Sequence, residues 1–375
     1  MKVMELCLSP DLGGLELYMY RCCDALSKAG DTVLPILRPA ARLVSYMERI
    51  SLQADYLKPL IHQLPLLSAY QLAKRIDRER VDVIHVHWGK DLPLAALAKA
   101  ISKRKPRLIY TRQMMLTRSK DDVFHRFIYR QMDRMLTITQ QLANGARQRL
   151  PAASADRVET LYYGVSEPGH WLDNEERQAL RGGWQVPTEA MLIGLFGRIE
   201  PFKGQHVMLE ALLHPRIANQ PIHLLIVGHA MDQEYLSELR ETVEQHDLTS
   251  RVHFYDFVED PQQWMQACDI VALTTRQETF GLVLAEAMRA GVAVIGSRAG
   301  GVPEIIEHEV TGLLFEPDDS GSLSEQIDVM ISEPETRARL AKSGKEYADR
   351  QFNPKVHYEQ LRQHLLGDTG SRKEM

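Results

Sequence analysis

Short apolar runs alternate with longer amphipathic segments along almost the whole chain of 375 residues. The runs are apolar on both faces, which is typical of strands in a parallel sheet covered by helices. In the first half these predicted strands are Val3–Leu8, Thr32–Leu37, Val81–His87, Arg107–Thr111, Met135–Thr139 and Val158–Tyr162. In the second half they are Met191–Phe196, Ile222–Val227, Val252–Tyr255, Ile270–Leu273 and Val292–Ile295. The pattern predicts an α/β fold with two doubly wound sheets.

The alternation stops between the two sets of strands. Residues Ser166–Pro187 are rich in glycine, proline and charged side chains, which is typical of a connecting segment. We therefore predict an N-terminal Rossmann-like domain over 1–168, a linker over 169–186 and a C-terminal Rossmann-like domain over 187–354. Ligands of such domains bind at the carboxyl ends of the strands.

Composition excludes several classes of protein. Hydrophobic residues make up 44% of the chain and charged residues 25%, as in ordinary globular proteins. Apolar runs such as Met191–Gly197 are far shorter than the roughly 20 residues of a membrane-spanning helix. The four cysteines lack metal-ligand spacing, and the chain opens in a strand-like run rather than a leader. These features favour a cytoplasmic protein with reduced cysteines.

Positive charge is concentrated in one segment. The net charge is −5, yet Lys99–Arg134 contains 11 basic and 3 acidic residues. This segment, 99–134, could attract an anionic partner such as the inner face of a membrane. An ordinary solvated helical face is an equally good interpretation. Nucleic acid is not expected, because the chain is acidic overall and carries no recognised binding motif.

Paired glycines follow the first predicted strand. Gly13 and Gly14 precede an amphipathic segment, so backbone N–H groups at a helix start could bind phosphate there. A tight turn would use the same glycines. No G-x-G-x-x-G pattern follows any strand, which argues against a nicotinamide or flavin enzyme.

Two cations stand at the end of the first strand of the second half. Arg198 and Lys203 lie between Gly197 and Gly204. A forked guanidinium and a mobile ammonium together suit a diphosphate. Their position at a strand's carboxyl end favours this interpretation over that of ordinary surface cations.

The most informative segment is Glu278–Glu286. It begins in the loop after a predicted strand and continues into a predicted helix, Leu282–Arg289. The N–H groups of the first helical turn could bind a diphosphate. The Glu278 carboxylate could then bind sugar hydroxyls, and that of Glu286 could bind ribose hydroxyls.

Glu278–Glu286 resembles the Glu-x7-Glu motif of family 4 glycosyltransferases, which are retaining enzymes with the GT-B fold. The resemblance extends to Gly197–Gly204, Val227-Gly228, Phe254–Val258 and Gly300–Glu304. It covers nearly all of the second predicted domain and, more loosely, the first. It implies two Rossmann-like domains with a cleft between them, and a C-terminal helix, 355–367, that crosses back to the first domain.

The resemblance also implies a donor site. It assigns Arg198 and Lys203 to the donor diphosphate, where they would stabilise the leaving group, Glu278 to the transferred sugar and Glu286 to the ribose. Arg198, Lys203 and Glu278 are thus the expected catalytic residues. The other expected donor-binding positions are Gly13, Gly14, Gly197, Gly228, Val258, Phe280, Gly281, Leu282 and Val283. Retention would follow from same-face attack, in which a leaving phosphate oxygen takes the acceptor proton.

No metal ion or resident cofactor is expected. Metal-dependent glycosyltransferases of the other common fold bind their ion through an Asp-x-Asp pair, and this sequence contains none. The nucleotide-diphosphate sugar is the donor substrate.

One position departs from the family. Many members have a histidine in a Thr-x-His setting where this chain has Thr111-Arg112-Gln113. Gln113 can hydrogen-bond but cannot shuttle a proton near neutral pH. Gln113, Arg112 and His87 are the candidate acceptor-binding residues, and the sequence does not decide whether Arg112 or His87 compensates.

His85 and His87 could in principle hold a metal, because they share one face of a predicted strand. Without a third nearby ligand, a structural role is favoured.

Three functions are compatible with these features. The favoured one transfers a hexose-type sugar to a glycan or lipid-linked acceptor, in lipopolysaccharide or surface polysaccharide synthesis. The basic segment would suit an anionic acceptor. The alternatives are a nucleotide-sugar epimerase or hydrolase of the same fold, and a non-catalytic nucleotide-sugar-binding subunit.

Overall fold

The computed structural model describes residues 1–59 and 65–367, which fall into two compact units. The first unit comprises Met1–Tyr162 and the segment from Lys355 onward, and the second comprises Tyr163–Pro354. Most of the predicted linker, 169–186, belongs to the body of the second unit. It contains the helix Asn174–Gly183, and the buried Arg181 of that helix pairs with Asp269 at 3.0 Å.

The first unit contains a parallel sheet with helices connecting its strands. The strands are β1 (Lys2–Cys7), β2 (Thr32–Leu37), β3 (Asp55–Tyr56), β4 (Val83–Val86), β5 (Arg107–Arg112), β6 (Arg134–Thr137) and β7 (Val158–Thr160). The helices are α1 (Gly14–Lys28), α2 (Val44–Arg49), α3 (Leu66–Glu79), α4 (Leu92–Ile101), α5 (Val123–Gln131), α6 (Gln140–Arg149) and α7 (Ala152–Ala155). The strand order is β3-β2-β1-β4-β5-β6-β7.

The core of this unit consists of apolar strand and helix side chains. Leu6, Ile84 and Leu108 from three neighbouring strands pack with Ile76 and Ala95 from the helices, and all five are fully buried. The strand order reverses between β1 and β4, so the loops that follow these two strands leave the sheet next to each other. This edge is where a ligand of the unit is expected.

The second unit repeats the architecture with six strands among its described residues. They are β8 (Met191–Phe196), β9 (Ile222–Val227), β10 (Val252–Tyr255), β11 (Ile270–Leu273), β12 (Ala293–Ser297) and β13 (Leu313–Phe315). The helices are α8 (Asn174–Gly183), α9 (Gln205–Leu213), α10 (Gln233–Gln245), α11 (Pro261–Ala267), α12 (Leu282–Arg289), α13 (Val302–Ile305), α14 (Ser320–Ser332) and α15 (Pro334–Gln351). The order β10-β9-β8-β11-β12-β13 is parallel throughout and reverses between β8 and β11. The loops after β8 and β11 are therefore neighbours.

The C-terminal helix α16 (Pro354–Leu366) joins the first unit, as predicted. Arg362 pairs with Asp31 at 2.7 Å, and the His357 ring lies 3.1 Å from the Tyr18 hydroxyl. Burial lowers the pKa of His357 to about 4, so this ring is neutral near pH 7.

The predicted α/β architecture is confirmed. Four of the five strands predicted in the second half have the predicted bounds, and the fifth is displaced by one or two residues. The sequence prediction missed β3 and β13, which are only two and three residues long. Within the described ranges, no helix is both long and apolar enough to cross a membrane.

Candidate active site

In the second unit, the loops after β8 and β11 bring a cation and a carboxylate into contact. Lys203 Nζ lies 2.8 Å from Glu278 Oε2, and both side chains are mostly buried. Glu278 Oε1 also accepts the N–H of Thr279 at 3.0 Å. The resemblance assigned residues of both loops to one donor site, and the structure brings Lys203 and Glu278 of these loops together.

Two threonines that the sequence prediction overlooked hold the loops together. The Thr274 hydroxyl donates to the Lys203 carbonyl at 2.8 Å, and the Thr275 hydroxyl donates to the Phe202 carbonyl at 2.9 Å. The N–H of Arg276 donates to the same Phe202 carbonyl at 3.1 Å. Paired threonines directly after an apolar strand are the signal that could have identified this link.

A glycine sets the position of Glu278. Gly300 has a φ of 57°, and a Cβ there would lie 1.8 Å from the Glu278 carbonyl oxygen. The N–H of Gly301 donates to that same carbonyl at 2.9 Å. Only a residue without a side chain permits this close approach, which fixes the Glu278 backbone.

Gly204, which follows Lys203, and Gly228, which follows β9, are needed for similar reasons. Gly204 has a φ of 69°, and a Cβ there would lie 2.2 Å from the Thr274 carbonyl oxygen. Gly228 has a φ of 153°, and its Cβ would lie 1.9 Å from the Gly197 carbonyl oxygen. The family motif glycines thus let the β8, β9 and β11 loops pack backbone to backbone.

Arg198 is the exposed member of the cationic pair. Its guanidinium lies 3.0 Å from the Glu200 carboxylate, and 59% of the side chain is accessible. Its carbonyl accepts the amide of the buried Gln205 at 2.9 Å, which anchors the backbone while leaving the head group at the surface. An exposed arginine can exchange a weak surface partner for an anionic ligand at little cost.

Helix α12 begins beside Glu278. Gly281, at a φ of 99°, precedes the helix, and Leu282 and Val283 form its partly exposed first turn. The first N–H groups of a helix have no acceptor within the helix, and they favour an anion. Phe280 is buried with its ring 5.0 Å from that of Tyr163, so only its backbone could meet a ligand.

Glu286 and Val258 are half-buried, on α12 and in the loop after β10 respectively. The Glu286 carbonyl accepts the amide of Gln262 at 3.3 Å, which ties α12 to α11. The roles expected for these two residues stay predictions.

The glycine pair of the first unit is placed as predicted, between β1 and α1. The N–H of Gly13, however, already donates to the Glu16 carboxylate at 2.8 Å. A phosphate could use this amide only by displacing Glu16. The N–H of Gly14 is the better candidate, since a Cβ at that position would meet nothing within 4 Å.

A cavity of about 290 Å³ lies in the first unit, at the carboxyl ends of β4 and β5. Its lining includes His87, Arg112 and Gln113, the three residues predicted to bind the acceptor. Lys90 and Lys120 add positive charge to the wall. The structure therefore brings the three predicted residues together around one small cavity, whose wall has both polar and apolar side chains.

Arg112 is largely occupied by the protein itself. One terminal nitrogen donates to the Tyr110 hydroxyl at 2.9 Å and the other donates to the Met115 carbonyl at 2.8 Å. Arg112 thus shapes the cavity, and these two hydrogen bonds leave it less able to compensate for the missing family histidine.

Lys120 lies in the wall of the same cavity. Burial, together with the neighbouring Arg118 and Arg112, lowers the pKa of Lys120.

Behind His87 lies a buried network that the sequence prediction missed. Glu5 on β1 faces β4, where its carboxylate contacts His85 Nδ1 at 3.0 Å and His87 Nε2 at 2.5 Å. His85 Nε2 also contacts the Thr111 hydroxyl at 2.7 Å. A lone glutamate inside an otherwise apolar strand was the available signal, because a buried charge requires a partner.

The network is spaced for hydrogen bonds. Glu5, His85 and His87 offer ligand atoms within 4.8 Å of one another, so the expectation that no third ligand lies nearby was wrong. Nitrogen and oxygen ligands of one tetrahedral zinc ion would stand about 3.3 Å apart. The 2.5 Å separation between Glu5 and His87 is shorter and fits a hydrogen bond. The structural role favoured for the histidines is the better interpretation.

Part of the positive charge in the basic segment is paired within the first unit. Four of its cations form ion pairs: Lys99 with Asp133, Arg104 with Asp82, Arg126 with Asp121, and Arg134 with Glu159. This pairing reduces the attraction that the segment could exert on an anionic surface.

A larger cavity, of about 490 Å³, lies at the other end of the same sheet. Asp82 and Lys103–Pro106, which precede β4 and β5, form part of its wall. Parallel sheets bind ligands at the carboxyl ends of their strands, so the smaller cavity beside His87 is the better candidate site.

Two family models match successive parts of the chain. The model described as "Glycosyltransferase Family 4" matches residues 12–167, and the one described as "Glycosyl transferases group 1" matches residues 176–347. The chain belongs to the family 4 glycosyltransferases. The two matches coincide with the two units of this glycosyltransferase.

Curated relatives are similar at modest identity. A D-inositol 3-phosphate glycosyltransferase of Xylanimonas cellulosilytica is 30% identical over 54% of this chain and 50% of its own length. A protein of the same name from Saccharomonospora viridis is 25% identical over 91% of this chain and 86% of its own length. The match to the first of these relatives spans only about half of that protein's length.

A solved structure matches the whole glycosyltransferase. HepE of Anabaena in complex with UDP is 25% identical, covers 98% of this chain and all of its own, and superposes with a TM-score of 0.84. The same protein was solved with UDP-glucose. The GT-B fold expected from the sequence is confirmed by this likeness.

Proposed function

We propose that this glycosyltransferase transfers a hexose-type sugar, with retention of configuration, from a nucleotide-diphosphate sugar to a glycan or lipid-linked acceptor. The observation that carries the proposal is the contact between Lys203 and Glu278 beside the start of α12. A cation for the phosphate, a carboxylate for sugar hydroxyls and free helix amides then lie in one place.

The charges of this site suit the breaking of a glycosyl phosphate bond. As the bond between the sugar C1 and the phosphate oxygen breaks, negative charge grows on the nucleoside diphosphate. Lys203, Arg198 and the N–H groups of Leu282 and Val283 would stabilise that charge. The acceptor oxygen bonds to C1, and the acceptor proton passes to the leaving phosphate oxygen. Glu278 would hold the sugar in place during this exchange.

UDP-glucose is the first donor to test. HepE, which is similar over its whole length, was solved with UDP and with UDP-glucose. Binding stabilises a folded protein by mass action, so the preferred donor should raise the melting temperature most. A panel of UDP-, GDP- and ADP-sugars, together with the free nucleotides, would rank the donors.

Product analysis separates the three candidate functions. Incubation with radiolabelled UDP-glucose and candidate acceptors should yield a glycoside that has the donor's anomeric configuration. Free glucose formed equally with and without an acceptor would support a hydrolase, and an isomerised nucleotide sugar would support an epimerase. Donor binding without turnover under all conditions would support a non-catalytic subunit.

We propose that the reaction proceeds without a metal ion. The sequence contains no Asp-x-Asp pair, and the side chains of Arg198 and Lys203 could bear the diphosphate charge. Activity should persist after exhaustive treatment with EDTA. Loss of activity that is restored by magnesium or manganese would contradict this part of the proposal.

Attachment to the inner face of a membrane, and a role in lipopolysaccharide or surface polysaccharide synthesis, stay predictions. Helix α5 leaves Val123 84% exposed while burying Ile128, so it packs on the core and presents some apolar surface. Flotation with anionic vesicles at low salt tests the attachment. Because Lys99, Arg104, Arg126 and Arg134 are paired, we expect weak binding that salt abolishes.

A further inference from the structure

The cavity at the ends of β4 and β5 has an excess of positive charge in its wall. Among the residues that the structure describes, its lining includes Lys90, Arg112 and Lys120 but no aspartate or glutamate. Within those described residues none of the three cations forms an ion pair, whereas the four paired cations of the basic segment lie outside the lining. Like charges that share a partly buried wall repel one another, and a bound anion would remove this cost.

The charge of Arg112 is oriented by the protein but not neutralised. Its guanidinium donates to the Tyr110 hydroxyl and to the Met115 carbonyl, and both of these acceptors are uncharged. Gly89 leaves room for the arrangement, because a Cβ there would lie 2.7 Å from the Tyr110 hydroxyl and 3.6 Å from a guanidinium nitrogen of Arg112. The wall thus contains a fixed cation whose charge is open to a ligand.

A histidine positions the second cation, Lys120. Its ammonium lies 3.2 Å from Nε2 of His125, and the carboxylate of Asp122 contacts Nδ1 of the same ring. The carboxylate requires a hydrogen on Nδ1, so Nε2 of the neutral ring accepts from Lys120. An ammonium has three N–H groups, and this contact uses one of them. Burial and the charges of two neighbouring arginines lower the pKa of Lys120, the direction expected where positive charge is in excess.

The third cation, Lys90, reaches the cavity from the turn between β4 and α4. Its ammonium lies 4.9 Å from the centre of the Trp88 ring, which belongs to the same wall. The cavity volume of about 290 Å³ is near the lower end of small-molecule sites, which range over roughly 300–1,000 Å³. The space therefore fits one small charged group rather than a length of polymer.

We propose that this cavity binds a phosphate monoester through the ammonium groups of Lys90 and Lys120, beside the fixed charge of Arg112. Such an ester carries a charge of about −1.5 to −2 at pH 7 and three strong acceptor oxygens, so a single group can meet several cations. The proposal rests on the proposed function in one respect, since it assigns the ester to the acceptor substrate, either a phosphorylated sugar or a phosphorylated lipid. The residues that bind the phosphate all belong to the first unit.

Titration calorimetry tests the site with D-glucose 6-phosphate as the soluble probe and D-glucose as its uncharged match. The phosphate should bind saturably, with a Kd on the order of 1 mM or tighter, and glucose should not bind. The same titration in saturating UDP should give the same Kd, because an acceptor and the donor nucleotide must bind together. Displacement of the sugar phosphate by UDP would place it in the donor site and overturn the proposal.

Vesicles distinguish the two sources of the ester. Phosphatidic acid offers a phosphate monoester, whereas phosphatidylglycerol offers an anionic diester at the same mole fraction. Flotation with phosphatidic acid in excess of that with phosphatidylglycerol would identify a lipid phosphate as the ligand. Binding of D-glucose 6-phosphate without that preference would identify a soluble one. If neither the soluble probe nor phosphatidic acid binds, the proposal is wrong.

Three substitutions assign the binding to the cavity. Lys90→Met and Lys120→Met each remove one ammonium and should weaken binding of the preferred probe about tenfold, the factor of one charge-assisted hydrogen bond. Arg126→Met is the matched control, because Arg126 pairs with Asp121 at 2.9 Å outside the cavity lining, and it should stay within about twofold of wild type. Melting temperatures check that each variant folds. Wild-type affinity in either lysine variant would overturn the proposal.

The outcome is independent of the donor proposal. If UDP fails to bind while the phosphate probe binds and both lysine variants weaken it, the donor site is wrong and the phosphate site stands. If UDP binds and no phosphate probe does, this inference fails and the proposed function stands.

Discussion

The ammonium of Lys203 and the carboxylate of Glu278 lie 2.8 Å apart, although 75 residues separate them in the chain. They meet because β8 and β11 are adjacent at the reversal of the strand order. In the free protein Glu278 neutralises the cation that we assign to the donor diphosphate. Donor binding must therefore compete with this ion pair or share its lysine.

Replacement of either cation should impair catalysis. We expect Lys203→Ala and Arg198→Ala each to lose at least about a hundredfold in kcat, since each would remove a group that stabilises the leaving diphosphate. Turnover of UDP-glucose with its best acceptor is the measurement. Lys342→Ala, at an exposed position on α15, is the matched control and should retain full activity. Near-normal turnover in both active-site variants would refute the assigned roles.

Neutralisation of Glu278 should separate donor binding from transfer. Glu278→Gln removes a negative charge beside Lys203, so calorimetry should show UDP binding about two- to fivefold tighter. The same change weakens a hydrogen bond to the sugar, and transfer should fall by about tenfold or more. Weaker UDP binding with normal transfer would place Glu278 outside the donor site.

The sequence predicted the second unit in more detail than the first. Strands such as Ile222–Val227 are mostly apolar and bounded by proline and glycine, so their ends are sharp in the sequence. β3 and β13 were missed because a strand of two or three residues is too short to show a repeating pattern of apolar and polar positions. The Glu-x7-Glu motif located both the Glu278 loop and α12, because it runs from that loop into the helix.

The contacts of the first unit were not predictable in the same way. Glu5 and His87 lie 82 residues apart, and no local pattern links a strand glutamate to a histidine on another strand. The ion pairs of the basic segment were not predicted, because the partners of Lys99 and Arg104 become visible only when β4 to β7 are assembled. Sequence patterns report local structure, whereas these pairings depend on strand order.

Close packing of the Gly300 backbone against Glu278 should make this glycine irreplaceable. Gly291 provides a matched comparison, because it also has a positive φ, 75°, but its Cβ would meet its nearest neighbour only at 3.8 Å. We expect Gly291→Ala to lose about 1 kcal/mol of stability through backbone strain alone. Gly300→Ala adds a clash at 1.8 Å and should lose on the order of 3 kcal/mol, together with most donor binding. The midpoints of urea unfolding measure the stability of both variants. Equal losses of stability would contradict the importance of the close contact between the Gly300 and Glu278 backbones.

Asp91, at the start of α4, should make stability fall as the pH rises. Burial raises the pKa of its carboxyl group to about 7, and the hydrogen bond from the Leu8 N–H, at 2.7 Å, offsets this only in part. The folded protein thus keeps a proton that the unfolded chain releases above about pH 4. Because the unfolded chain binds fewer protons over this range, the free energy of unfolding must decrease between about pH 4 and pH 7.

Asp91→Asn isolates this contribution, since asparagine keeps an oxygen for the Leu8 N–H and cannot ionise. The stability difference between variant and wild type should grow in favour of the variant by about 2.6 kcal/mol from pH 5 to pH 8. Buried histidines such as His357 titrate identically in both proteins, so they cancel in the difference. Urea unfolding at each pH is the measurement, with Asp11→Asn, at an exposed position in the same unit, as the control. Parallel curves for the variant and the wild type would mean that Asp91 is ionised in the folded protein.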